Sequence, residues 1–254
     1  MPALECKSVC LEYVVAGRKL RALQDVDVHV EKRELVSLLG PSGCGKSTLL
    51  NIVAGFLTPT GGTVTVDGEK VRKPGKDRGV IFQEHALFPW MTVNQNIGFG
   101  LDVNGVARKE REERTLELLK LVNLVDFASA FPSQLSGGMR QRVAICRALA
   151  NYPSILLMDE PFSAIDEQTR QGLRDEFLRI WQITGQTVLL VTHSIDEAII
   201  MSDRIVVMGT KPGRVLTTVD IDLPRPRDDL SAGFIALKKQ ISGLLYRRDN
   251  GAVQ

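Results

Sequence analysis

Residues 40–48 read GPSGCGKST, directly after the apolar run LVSLL at 35–39. The pattern G-x-x-x-x-G-K-[ST] is filled by Gly40, Gly45, Lys46 and Ser47. A short strand before the loop and an apolar helix, STLLNIVAGF, after it are the context that this pattern requires. Glycines let backbone N–H groups curl around phosphate oxygens with no Cβ in the way. The helix adds its N-terminus, with N–H groups and partial positive charge aimed at the same anion. Lys46 is expected to reach the β- and γ-phosphates of ATP, and Ser47 to place its hydroxyl on Mg²⁺. The whole loop is expected to contact ATP: Gly40, Pro41, Ser42, Gly43, Cys44, Gly45, Lys46, Ser47 and Thr48.

Composition narrows what surrounds the loop. The chain has 254 residues and 44% hydrophobic content, enough for a sizeable core. Its 32 basic residues nearly balance its 30 acidic ones, which argues against a general nucleic-acid binder with a basic stripe. No apolar run approaches the roughly 18–20 residues of a membrane-spanning helix, and MPALECKSV lacks the basic and apolar regions of a secretory leader. Cys6, Cys10, Cys44 and Cys146 form no CxxC pair and no zinc spacing, so reduced cytosolic thiols are expected. Cys44 fills a variable position of the loop and is assigned no chemistry, and His29 and His85 are read as structural.

The rest of the chain divides by hydrophobic pattern. Residues 1 to about 34 read as β: in QDVDVHV, Val26, Val28 and Val30 share one face. TVTVDGEKV at 63–71 carries an Asp-Gly turn between strand-like arms. Five short, wholly apolar stretches suit strands buried on both faces of a parallel sheet. They are LVSLL (35–39), GVIF (79–82), ILLM (155–158), TVLLV (187–191) and IVVM (205–208). Between GVIF and ILLM the pattern turns helical, with RKEREERTLELLKLV at 108–122 and MRQRVAICRALA at 139–150. EHALFPWMTVNQNIGFGL at 84–101 is expected to be loop, with Leu87, Phe88, Trp90 and Phe99 on it.

Two further signals bear on chemistry. Asp159 follows ILLM at a strand's carboxyl end, where a carboxylate can hold Mg²⁺, and Glu160 can orient an attacking water. LSGGMRQR at 135–142 opens a helix with Ser136 as cap and with Gly137 and Gly138 allowing close backbone approach. One phosphate loop and one spare anion-binding helix start per chain imply a head-to-tail dimer. Each Ser-Gly-Gly then closes over ATP held by the other copy.

On these residues the chain resembles the ATP-binding-cassette (ABC) ATPases along nearly all its length. The resemblance implies an α/β fold, a P-loop NTPase cassette with a RecA-like core, an antiparallel β subdomain and an inserted helical subdomain. Core and β subdomain would take 1–84 and 152–225, the helical subdomain about 85–151, and a helical tail 226–254. It implies Glu160 as catalytic glutamate, Gln83 in IFQE as a glutamine facing Mg²⁺ and ATP, and SAID (163–166) as the D-loop, with Ile165 where Leu is usual and Asp166 among the ATP-binding residues. His193 in LLVTHSIDEA is implied as the residue sensing γ-phosphate. Tyr13 falls where the family stacks an aromatic ring on adenine, with a core strand aromatic as the other reading. One departure stands out: the signature normally ends in Gln, and Met139 occupies that position.

Three function classes follow from such a cassette: a transporter subunit, a soluble ABC ATPase acting on ribosomes or DNA, and a stand-alone enzyme. One cassette per chain and no sustained heptad pattern argue against the second. KPGKDRGVIFQEHALFPWMTVNQNIGFGL and GRVLTTVDIDLPRPRD resemble the nitrate, sulfonate and taurine importer ATPases. That implies two membrane permease subunits that dock on residues 84–101, a separate solute-binding protein, no nucleic acid, and a peripheral location on the cytoplasmic face of the cell membrane.

Overall fold

The computed structural model describes residues 1–15, 17–83, 86–163 and 167–249. Along the chain run β1 (Leu4–Val15), β2 (Arg18–Val30), β3 (Leu35–Leu39), α1 (Lys46–Ala54), β4 (Gly61–Val66), β5 (Glu69–Lys70) and β6 (Arg78–Ile81). Then follow α2 (Val93–Val103), α3 (Arg108–Leu121), α4 (Gly137–Leu149), β7 (Ile155–Asp159) and α5 (Glu167–Thr184). The chain ends with β8 (Val188–Thr192), α6 (Ile195–Met201), β9 (Arg204–Gly209), β10 (Arg214–Asp220) and α7 (Ala232–Asp249). Met1–Gly75 with Gln186–Gln254 form one compact unit, and Lys76–Gly185 another.

The first unit holds an antiparallel sheet in the order β2-β1-β4-β5. Leu4 lies opposite both Val30 and Val66. The alternating valines Val26, Val28 and Val30 are all buried, as a period-two pattern requires when one face meets a core. Asp67 and Gly68 take φ of 47° and 82°, the turn geometry that Asp-Gly favours in hairpins. Beside this sheet runs a second, with β3 flanked in parallel by β8 and β9, and β10 antiparallel to β9. All five residues of β3 and all five of β8 are buried. Continuous apolarity arises because α1, α6 and α7 pack against these strands. Phe234 and Ile241 of α7 join Leu39, Ala198, Ile199, Ile205 and Val207 in one core cluster.

In the second unit β6 and β7 pair in parallel, Ile81 opposite Met158, and α2, α3 and α4 pack on one another. The five strands expected from sequence all form, each within one residue of its expected bounds, but β6 is not buried on both faces: it alternates half-buried and buried residues, and Phe82 after it is exposed. Another expectation is overturned: residues 84–101 are not all loop, because helix α2 begins at Val93. Its start is fixed by a capping box. Thr92 Oγ1 accepts from Gln95 N–H at 3.3 Å, and Gln95 Oε1 accepts from Thr92 N–H at 2.8 Å.

Candidate functional site

The loop after β3 closes on its own lysine. Lys46 Nζ donates to Gly40 O at 2.7 Å, to Pro41 O at 3.1 Å and to Cys44 Sγ at 3.7 Å. Helix α1 opens at Lys46 behind Gly45, with no side-chain cap and no acidic residue in its first turn. Its positive end therefore meets no countercharge from the first turn, which suits a polyphosphate. Gly45 takes φ 90°, and a Cβ there would lie 2.5 Å from Leu23 Cδ2. Pro41, Ser42, Gly43 and Ser47 line the exposed rim.

A buttress that sequence reading missed stands behind the loop. Gly213 N–H donates to Ala22 O at 3.0 Å, and Gly213 O accepts from Gln24 N–H at 2.9 Å. A Cβ on Gly213 would meet Ala22 O at 2.8 Å and come closer still to Cys44 O. The Cys44 thiol is fully buried rather than facing the rim. Burial raises its pKa, with Lys46 pulling the other way.

His193 leaves β8 beside this loop. Leu39 and Thr192 are register partners, so Gly40 and His193 follow the parallel strands at the same level. His193 is exposed. Tyr13 lies on β1 opposite Leu20 and is 38% exposed, so it is not a core aromatic.

In the second unit Asp159 closes β7 after four buried residues, and Glu160 follows at φ 45°. Ser163 holds the turn through bonds to Glu160 O from its N–H (3.1 Å) and Oγ (2.8 Å). Gln83 follows β6 and is exposed. Asp166, Glu84 and His85 lie outside the described residues. Ser136 caps α4, its Oγ accepting from Met139 N–H at 3.3 Å. Among the described residues nothing demands glycine after it. A Cβ on Gly138 would find only side chains at 3.6 Å or more, and one on Gly137 only Arg140 at 3.9 Å.

Helix α4 leads from Ser136 to Arg147, which donates to Ala86 O at 2.7 Å and stacks over Phe88 at 5.5 Å. Phe88 in turn packs on Trp90 and Phe99, with centroids 5.7 and 4.7 Å away. Asn96, another residue missed from sequence, fixes this segment from beneath. It is fully buried and donates to the carbonyls of Phe88, Met91 and Thr92 at 3.0–3.1 Å, while its Oδ1 accepts from Phe88 N–H at 2.8 Å. Trp90 is left 70% exposed. Beside it a cavity of about 370 Å³ is lined by Met91, Gln95, Phe99, Asp102, Arg108 and Arg111.

Comparison with known proteins decides the family: residues 23–163 match the ABC transporter family model. The chain belongs to the ABC transporter family. A taurine import ATP-binding protein of Rhizobium johnstonii is 46% identical over 242 residues, covering 92% of each chain. A nitrate import ATP-binding protein of Synechocystis is 47% identical over 216 residues, 84% of this chain and 81% of that one. In three dimensions the chain is similar to a dimeric ATP-binding cassette in a post-hydrolysis state bound to ADP and Pi. The TM-score is 0.73 at 35% identity, over 87% of this chain and all of the other.

This ABC protein is an ATPase of the α/β cassette type. It contains two sheets, one antiparallel and one mostly parallel. Among the described residues no helix is long and apolar enough to cross a membrane.

Proposed function

We propose that this ABC ATPase energises import of a small anionic or zwitterionic solute. Taurine or another sulfonate is the first choice and nitrate the second. The 46% identity to a taurine import ATP-binding protein over 92% of both chains carries the reading. The nitrate import relative keeps the second solute open.

Roles are assigned to this chain's own residues. Lys46 holds the β- and γ-phosphates, within the cradle of Gly40–Thr48 backbone N–H groups. Tyr13 stacks on adenine. Ser47, Asp159 and Gln83 hold Mg²⁺, which when bound neutralises charge on the phosphate oxygens. Glu160 takes the proton of the attacking water and keeps it in line. His193 and Lys46 stabilise charge developing at the γ-phosphate. Ser136, Gly137 and Gly138 close over the ATP of a second copy, and Asp166 of the D-loop is a further ATP contact. The space beside Gly137 supports that assignment: an added Cβ there would meet only the far end of Arg140 at 3.9 Å, so its lack of a side chain is free to serve a contact outside the chain. Two permease subunits dock on the Trp90 face and the neighbouring cavity, which keeps the protein on the cytoplasmic side of the membrane. A solute-binding protein delivers cargo from the other side.

The test is reconstitution in liposomes with permease and binding protein, reading phosphate release against added taurine, other sulfonates or nitrate. Stimulation by a sulfonate is expected. Stimulation by nitrate alone moves the substrate to the second choice, and hydrolysis indifferent to the permease overturns the importer reading.

A further inference from the structure

His193 is held by a chain of contacts that leads to the C-terminal segment. Thr192, just before it, bonds its hydroxyl to the Glu197 carboxylate. Ser194, just after it, donates N–H to Thr192 Oγ1 at 3.0 Å, and Ser194 Oγ accepts from Glu197 N–H at 3.2 Å. The backbone on both sides of the imidazole is thus tied to Glu197, a buried residue of α6. Where α6 sits determines where His193 sits.

Helix α6 has only seven residues. A helix that short is marginal by itself, so outside contacts fix its position. Its C-terminal carbonyls, which a helix leaves unsatisfied, are taken by two arginines of the segment LPRPRD. Arg227 donates to Ile199 O, to Ile200 O at 3.3 Å and to Ser202 O at 2.5 Å. It also reaches Ile221 O at 3.4 Å and Leu223 O at 3.0 Å. Arg225 donates to Met201 O at 2.5 Å and to Asp203 Oδ1 at 2.6 Å. Burial pushes the Arg227 pKa down only to about 10, so the guanidinium stays charged at neutral pH. Two cations at this end also match the helix dipole. The other end is tied by helix α7: Lys238 Nζ lies 2.7 Å from Asp196 Oδ1 and 2.8 Å from Oδ2, in the first turn of α6. Between the two ends, Phe234 and Ile241 of α7 pack on Ala198 and Ile199.

We propose that Arg225, Arg227 and Lys238 are positioning residues for His193, and that the segment after β10 sets turnover by fixing α6. The proposal rests on the reading of His193 as the residue that meets the γ-phosphate. None of the three touches the reacting atoms; each acts through α6 and Glu197.

The Lys238–Asp196 pair provides the test because both side chains are substantially exposed, at 48% and 42%, and such pairs add little to stability. Lys238→Asp, Asp196→Lys and the double charge swap are compared in the purified ATPase, with His193→Ala alongside. Each single variant should lower kcat by about 1.5- to fivefold, the range of one disrupted exposed charge pair. Affinity for an ATP analogue and melting temperature should stay at the wild-type values. The double swap should recover most of kcat. Wild-type kcat in both single variants, a loss that the swap does not repair, or a loss that follows melting temperature would each overturn the proposal. If His193→Ala loses turnover while the pair variants keep it, positioning alone fails. If His193→Ala keeps turnover, the reading of His193 fails and the proposal with it.

Discussion

Lys46 Nζ donates a 2.7 Å hydrogen bond to the carbonyl oxygen of Gly40, six residues back at the start of its own loop. The ammonium therefore braces the loop from inside while its charge remains next to the helix start. Lys46→Ala removes both functions. Affinity for a fluorescent ATP analogue should fall by about 10- to 100-fold, as expected for losing charge-assisted hydrogen bonds. Undiminished affinity would mean that the loop does not hold phosphate through this side chain.

Gly213, in the turn between β9 and β10, lies against the same loop while bonded to β2. Gly213→Ala puts a Cβ 2.8 Å from Ala22 O and against Cys44 O, and backbone on both sides cannot yield cheaply. The expected cost is about 1–3 kcal/mol, in the range of overpacked sites, read as a lowered melting temperature. ATP affinity should fall as well, because the strain falls on the loop backbone. A variant with both properties at the wild-type level would remove Gly213 from this role.

The four thiols should react unequally. Cys6, Cys44 and Cys146 are buried, and Cys10 is half-buried. Burial lifts Cys6 and Cys146 to about 12, and raises Cys44. Only the thiolate is nucleophilic. In native protein at neutral pH, iodoacetamide should label Cys10 first and leave Cys44 unlabelled with or without Mg-ATP, as read by mass spectrometry. Because folding holds Cys6 and Cys146 protonated above their ordinary value of 9.0, the unfolded chain binds fewer protons there. Stability should therefore decline as pH rises from 9 towards 12. Cys44 labelled as fast as Cys10 would contradict its inward placement.

Trp90 offers a separable test of docking, since it is 70% exposed and its replacement disturbs no core. Trp90→Glu should keep circular dichroism and basal hydrolysis while weakening permease association, because docking would bury an unpaired carboxylate. Asn96→Ala should reach the same defect through the fold. It leaves the carbonyls of Phe88, Met91 and Thr92 without their shared donor, at about 1–3 kcal/mol. Unchanged permease binding by a well-folded Trp90→Glu would refute the docking face.

What sequence made legible follows from how local each cause is. The loop at 40–48 was readable because a strand, a glycine spacing and a helix start lie within twenty residues of one another. The buried strands were readable because burial on both faces leaves an uninterrupted apolar run, as in β3 and β8. Gly213 was not readable: its requirement comes from Ala22 and Cys44, distant in sequence and adjacent only after folding. Asn96 looked like any polar residue, since its value lies in three carbonyls and one N–H gathered by the turn above it. Helix α2 carries a local start signal in Thr92 and Gln95, but the proline and aromatics just before it read as loop and mask the start. Arg225 and Arg227 carry no local signal of their role. Their carbonyl contacts on α6 depend on the return of the chain after β10.

Glu160 is proposed to activate water in a nucleotide site shared by two copies of this chain, and Glu160→Gln tests this directly. Gln is close to isosteric and keeps the turn at φ 45° that Ser163 holds. The variant should bind ATP normally, release phosphate at least about 100-fold more slowly, in keeping with loss of a general base, and accumulate as a dimer on size exclusion with Mg-ATP. Steady-state phosphate release near the wild-type rate, with the protein remaining monomeric in ATP, would contradict it.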